Sequence, residues 1–121
     1  LIKRVVANLL SNAIRHTPTG GSVKVKTDIL NSTKSIQLRV IDTGNGLAPE
    51  YHQRVFNKFE QIRLKREGVR VGSSGIGLAF CKIAVEAHAG KIWVESEGEG
   101  KGATFQFILP LKTAAPVNHV E

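Results

Sequence analysis

The hydrophobic period of this chain runs helical, then alternating, then helical, then alternating again, and that order constrains the fold more than any other feature. Residues 2 to 16 place Ile2, Val6, Leu9, Leu10 and Ala13 on one helical face, with Arg4, Asn8, Ser11, Asn12 and Arg15 opposite. Thr17-Pro18-Thr19-Gly20-Gly21 ends that helix with breakers. Val23, Val25, Thr27 and Ile29 then alternate with Lys24, Lys26 and Asp28, the pattern of a half-buried strand. A polar turn at residues 31–35 leads to a second alternating row, Ile36, Leu38 and Val40, so the two strands read as a hairpin-like pair.

Pro49, a favoured first-turn residue, opens a short helix predicted over residues 49–59 with Val55, Phe56 and Phe59 apolar. Residues 60–75 follow neither period and are rich in Arg, Lys, Gly and Ser, which predicts a mobile loop. The helical period returns from Ile76 to His88 through Ala79, Phe80, Ile83, Ala84 and Ala87, with Gly90 near its C-cap. Strands predicted over 91–96 and 103–109 follow, parted by a glycine-rich turn at 97–102. The order lacks the strict strand-helix alternation of a doubly wound fold. The expected class is therefore α+β, a two-layer sandwich of a mixed, mostly antiparallel sheet covered on one face by about three helices. One domain is expected over residues 1–111, and the patternless residues 112–121 are expected to form a disordered tail.

Apolar runs such as Ile76 to Phe80 are too short to span a bilayer, and no charged-then-apolar leader opens the sequence, so the chain reads as a soluble domain. Cys81 stands alone and reads as a small buried apolar residue. A formal charge of +7, from 17 Lys and Arg against 10 Asp and Glu, points to an anionic partner. Nucleic acid is a poor fit: Tyr51 and Trp93 are far apart, and no basic run is interleaved with aromatic residues. The basic residues are scattered, with one cluster at Arg63, Lys65, Arg66 and Arg70.

Three constellations carry chemistry. Asn8 and Asn12, four apart, project from one side of the first helix, and Arg15 continues the stripe. Alone this is a solvated helix face, but two amide oxygens also suit the shell of a hard cation such as magnesium while phosphate supplies the charge. Asp42-Thr43-Gly44-Asn45-Gly46 ends the second strand. It reads as a plain turn or, because Asp42 extends the row of Val40, as an inward carboxylate that needs a donor. The exocyclic amine of adenine would serve, and Gly44 and Gly46 would let a flat ring approach. Gly72-Ser73-Ser74-Gly75-Ile76-Gly77-Leu78 runs directly into the last helix, where backbone N–H groups and the helix dipole suit phosphate. It is neither a Walker loop nor a dinucleotide fingerprint.

Taken together these segments resemble the catalytic ATP-binding domain of sensor histidine kinases, in the wider group that includes DNA gyrase, mismatch-repair and heat-shock chaperone ATPases. Asn8-Leu9-Leu10-Ser11-Asn12-Ala13 with Thr17-Pro18 is similar to the N box, residues 42–46 to the first glycine box, and residues 72–78 to the second. Phe56-Asn57-Lys58-Phe59-Glu60-Gln61 is similar to the F box, and Gly102-Ala103-Thr104-Phe105 with Leu109-Pro110 also matches. The resemblance spans residues 2 to 111.

The resemblance implies ATP and Mg2+ as ligands. Asn12, helped by Asn8, would hold magnesium; Arg15 would approach a phosphate and His16 would flank the nucleotide. Asp42 would take the adenine amine with Thr104 near the ring, and Gly44, Gly46, Gly72, Gly75, Ile76, Gly77 and Leu78 would line the nucleotide. Residues 47–74 would form a lid whose basic cluster meets the γ-phosphate. The implied activity is transfer of that phosphoryl group to a histidine on an adjoining dimerisation and phosphoacceptor domain, in a homodimeric parent that acts through a response regulator. The same resemblance implies a cytoplasmic domain, whether or not the parent is membrane-anchored. None of His16, His52, His88 and His119 has the family's phosphoacceptor context, and His88 is expected to cap or pack the last helix. Two departures are visible. Ser73 replaces a usual glycine, and Ala89 replaces the second residue of a His-Gly-Gly turn, each a mild restriction on the backbone. The strand that normally precedes the N box is not in the sequence. A module that holds ATP without transferring it is the rival from the binding class.

Overall fold

The computed structural model describes residues 1–57, 63, 66, 68 and 77–111. The amphipathic opening segment is helical from Ile2 to His16 (α1), and its buried stripe is Val5, Leu9, Asn12 and Ala13. That spacing is helical, but the stripe takes in Asn12, which the period alone assigned to the polar side. Ile2, Val6 and Leu10 pack only partly buried against the core.

Strands β1 (Val23–Leu30) and β2 (Ser35–Asp42) form the expected antiparallel hairpin, in register from Val23 opposite Asp42 to Leu30 opposite Ser35. Beyond it, the single short helix expected over 49–59 is replaced by two 3₁₀ turns, Pro49–Tyr51 and Arg54–Phe56. Their bonds run to the third residue back, His52 N–H to the Pro49 carbonyl and Asn57 N–H to the Arg54 carbonyl, so no α-helical ladder propagates. Residues 58 and 59 of that expected helix lie outside the described residues. Within the stretch read as a loop, Arg63 and Arg66 have helical backbone.

Helix α2 spans Gly77–Ala87, followed by β3 (Lys91–Glu95) and β4 (Ala103–Pro110). At the end of α2, His88 Nδ1 lies 2.8 Å from the Ala84 carbonyl oxygen, the capping contact expected for it. The left-handed cap residue is Ala89, with φ of 63°, rather than Gly90. Gly90 is required for another reason: a Cβ there would strike the Ile108 carbonyl oxygen.

The strand order is β1-β2-β4-β3, and every pairing among the described residues is antiparallel. The helices pack on one side, giving the α+β two-layer arrangement. The core lies between them, where Leu9, Cys81 and Val85 meet Val40, Phe105 and Phe107. Phe56 closes it, with its ring edge-on to Phe105 at 6.0 Å between centroids. No helix among the described residues is long and apolar enough to cross a membrane. The expected tail, 112–121, lies outside the described residues.

Candidate nucleotide-binding site

Strand alternation sets the central residue of the site. Asp42 follows Val40 on the helix-covered face and is 6% exposed, while Val40 is fully buried. Gly44 N–H donates to Asp42 Oδ1 at 2.8 Å, and Ala103 N–H donates to the same oxygen at 3.2 Å. The other carboxylate oxygen has no partner among the described residues. Burial pushes this carboxyl above its ordinary range; the bonds from Gly44 and Ala103 and the nearby His16 oppose that rise without cancelling it.

The glycines after Asp42 are needed for space. A Cβ on Gly44 would strike the His16 carbonyl oxygen, and one on Gly46 would strike the Gly98 carbonyl oxygen; Gly46 also holds φ of 70°. The loop is laced on two sides. Asn45 N–H bonds the His16 carbonyl at 3.1 Å, and the Asn45 amide nitrogen lies 3.2 Å from His16 Nδ1. From the β3–β4 turn, Gly100 N–H reaches the Asn45 carbonyl at 2.6 Å and Gly102 N–H the Gly44 carbonyl at 3.2 Å. The C-terminal end of α1 is thereby tied to the end of β2.

On α1 the two asparagines part company. Asn12 is 6% exposed and its Oδ1 has no hydrogen-bond partner among the described residues. An unpaired buried acceptor is costly, which makes this oxygen a candidate ligand contact. Asn8 is half-buried and hydrogen-bonded to the Cys81 thiol, which burial pushes up to about 11 against that bond. Cys81 itself is fully buried, as expected, and its thiol lies 3.8 Å from the Val5 carbonyl oxygen. Arg15 is exposed and donates to Ser11 Oγ at 3.1 Å.

Thr104 departs from expectation. It pairs with Ile41, whereas Asp42 pairs with Ala103, so Thr104 projects from the opposite face of the sheet and Ala103 shares the face of Asp42. Gly77 and Leu78 form the first turn of α2, with Leu78 buried; Gly72, Gly75 and Ile76 lie outside the described residues, as does most of the stretch 47–74 after Asn57. Sequence reasoning also passed over Ser96, which joins this region through its hydroxyl. The glycines at 98, 100 and 102 were the available signal, since such a turn can bring backbone close to a second loop.

A buried carboxylate at the head of a glycine loop and a buried asparagine on α1 with an amide oxygen unpaired among the described residues are the groups this region offers a ligand. The family described as histidine kinase-, DNA gyrase B- and HSP90-like ATPase matches residues 1–113. The chain belongs to that family. Within it the chain is an ATP-binding domain of the sensor histidine kinase type, as three comparisons show. The adaptive-response sensory kinase SasA of Synechococcus sp. (strain JA-2-3B'a(2-13)) is 43% identical over 111 residues, which is 91% of this chain and 28% of that relative. Full-length ShkA, solved in complex with AMPPNP, superposes with a TM-score of 0.78 at 30% identity over 95% of this chain and 22% of that one. The nucleotide-free catalytic domain of the histidine kinase ThkA superposes with a TM-score of 0.70 at 27% identity, covering 90% of this chain and 65% of that one. The chain thus spans under a third of the SasA relative that it matches.

Proposed function

We propose that this ATPase-family domain binds Mg-ATP and donates the γ-phosphoryl group to a histidine on an adjoining dimerisation and phosphoacceptor domain of its parent protein. The observation that carries the reading is Asp42: a buried carboxylate with one oxygen committed to two backbone donors and the other left for a ligand. The adenine amine is a donor of the right kind, and Gly44 and Gly46 allow the close backbone packing that fixes the loop beside Asp42. Asn12 Oδ1, buried and without a partner among the described residues, fits a hard cation that prefers oxygen. Magnesium bound there would neutralise triphosphate charge. Arg15 approaches a phosphate, His16 flanks the nucleotide, and the start of α2 at Gly77 and Leu78 offers backbone donors to phosphate, continuing the glycine run of Gly72, Gly75 and Ile76.

Catalysis on this reading is positioning and charge neutralisation, with no covalent intermediate on the chain. Asn8 supports that division of labour. An amide bonded to the Cys81 thiol cannot take a proton from water near neutral pH, so hydrolysis lacks general-base help worth about 10²–10⁴-fold. ATP is then held until the acceptor histidine docks. The parent is a cytoplasmic-facing homodimer that passes the phosphoryl group on to a response regulator, and nucleic acid is not a ligand. Titration calorimetry with Mg-ATP and with adenosine, on the chain and on Asn12→Ala, tests the site. Binding of Mg-ATP with a selective loss in the variant is expected. Absence of binding by the folded chain, or brisk phosphate release without an acceptor, would refute the proposal.

A further inference from the structure

Four backbone groups from two separate segments converge on one hydroxyl, that of Ser96, the residue after β3. Leu47 N–H donates to Ser96 Oγ at 2.9 Å and Gly98 N–H at 3.2 Å, while the hydroxyl donates to the Gly102 carbonyl oxygen at 2.6 Å, with the Gly98 carbonyl oxygen a longer alternative at 3.3 Å. One proton given and two accepted fill the capacity of a serine hydroxyl. Both ends of the contact bear on the site. Leu47 is buried and directly follows Gly46, and Gly102 donates in turn to the Gly44 carbonyl, with its missing Cβ pressed against the Asp42 carbonyl oxygen.

We propose that Ser96 is a positioning residue for the nucleotide. It holds the 42–47 loop in fixed spacing to the 97–102 turn, and so fixes the direction in which Asp42 presents its ligand oxygen. It acts through Leu47 and Gly102 rather than by contact. Without the hydroxyl, two N–H groups and one carbonyl lose their partner together, and nothing else described at the turn replaces them. The glycine loop would then sample several spacings, and affinity would fall with the fraction held in the binding one.

The inference rests on the Mg-ATP reading for its consequence but not for its geometry, and the test separates the two. Amide exchange without nucleotide and calorimetry with Mg-ATP are measured on the chain and on Ser96→Ala, Ser96→Thr and Ser35→Ala. Ser35 is a buried hydroxyl at the far end of β2, so its loss reports general destabilisation alone. In Ser96→Ala the Leu47 and Gly98 amides should exchange at least about tenfold faster, with Val40 and Phe107 unchanged, and Mg-ATP should bind about tenfold more weakly. Ser96→Thr should restore both, and Ser35→Ala should move neither. Unchanged exchange at Leu47 overturns the clamp, and faster exchange with unchanged affinity overturns its positioning role. A chain that shows the exchange effect yet never binds Mg-ATP overturns the functional reading instead. In the unsubstituted chain, Leu47 and Gly98 should share one opening rate, and independent rates overturn the clamp even if Ser96→Ala does not fold.

Discussion

Strands β1 and β2 have eight residues each, pair along their whole length and alternate in the same way, yet one is exposed and the other is built into the core. Val25 pairs with Val40, so the two side chains share a face, but Val25 is 45% exposed and Val40 is fully buried. The cause is position. β1 and β3 are the two edges of the sheet; α2 packs over β3, whereas α1 lies chiefly over β2 and reaches β1 less. Alternation therefore reports that a strand forms and which residues share a face; it does not report whether anything covers that face. The candidate site lies on the covered strand, where a carboxylate can be desolvated and a loop held against a neighbour.

The contrast can be broken most sharply at the glycines. Gly44→Ala places a methyl against the His16 carbonyl, backbone on both sides, and should cost about 3 kcal/mol or more of folding stability. Denaturant unfolding that shows a cost under about 1 kcal/mol would mean the loop is not packed as described. The paired valines come next. Val40→Ala should cost about 2–3 kcal/mol through lost burial and the cavity, and Val25→Ala well under about 1 kcal/mol. Equal losses would mean that β1 is covered in solution after all.

Asp42→Asn sets function against stability at the same strand end. Adenine nucleotides should bind about 1.5–3 kcal/mol more weakly, because the amide turns a donor toward a donor. Folding stability near pH 7 should not fall. The folded carboxyl sits above its unfolded range, so its ionised form opposes folding at neutral pH, and that penalty disappears as pH drops through the folded value toward the unfolded one. Nucleotide affinity should fall over the same acid limb as the carboxylate gains its proton. A variant that is clearly less stable than its parent at pH 7 would show that the two backbone bonds outweigh burial. The smallest effect is expected at Ala89, the left-handed residue after α2, where Ala89→Gly should gain about 1 kcal/mol by relieving the strain on a Cβ-bearing residue. A thermal midpoint that does not rise would place the strain elsewhere.

The four strands, the first and last helices, the hairpin, and the inward row ending in Asp42 were all legible in the sequence, because each depends on spacing along one segment. So was the resemblance behind the nucleotide reading, whereas the need for Gly44 and Gly46 lies in the His16 and Gly98 carbonyls that pack where a Cβ would be. Other features required the fold. Asn12 joins the buried stripe of α1 because the helix is rotated by its contacts with α2 and β2, which a period read on one helix cannot reveal. Asn8 pairs with a thiol more than seventy positions away. Ala103 rather than Thr104 shares the face of Asp42 because β4 sets Ala103 opposite Asp42 and Thr104 opposite Ile41, and register belongs to the pair of strands rather than to either alone. Ser96 became visible only once the β3–β4 turn had closed on the loop after β2. Local periodicity is a property of the covalent chain; what a face, a hydroxyl or a carboxylate meets is decided by segments far away in sequence, and only their packing brings them together.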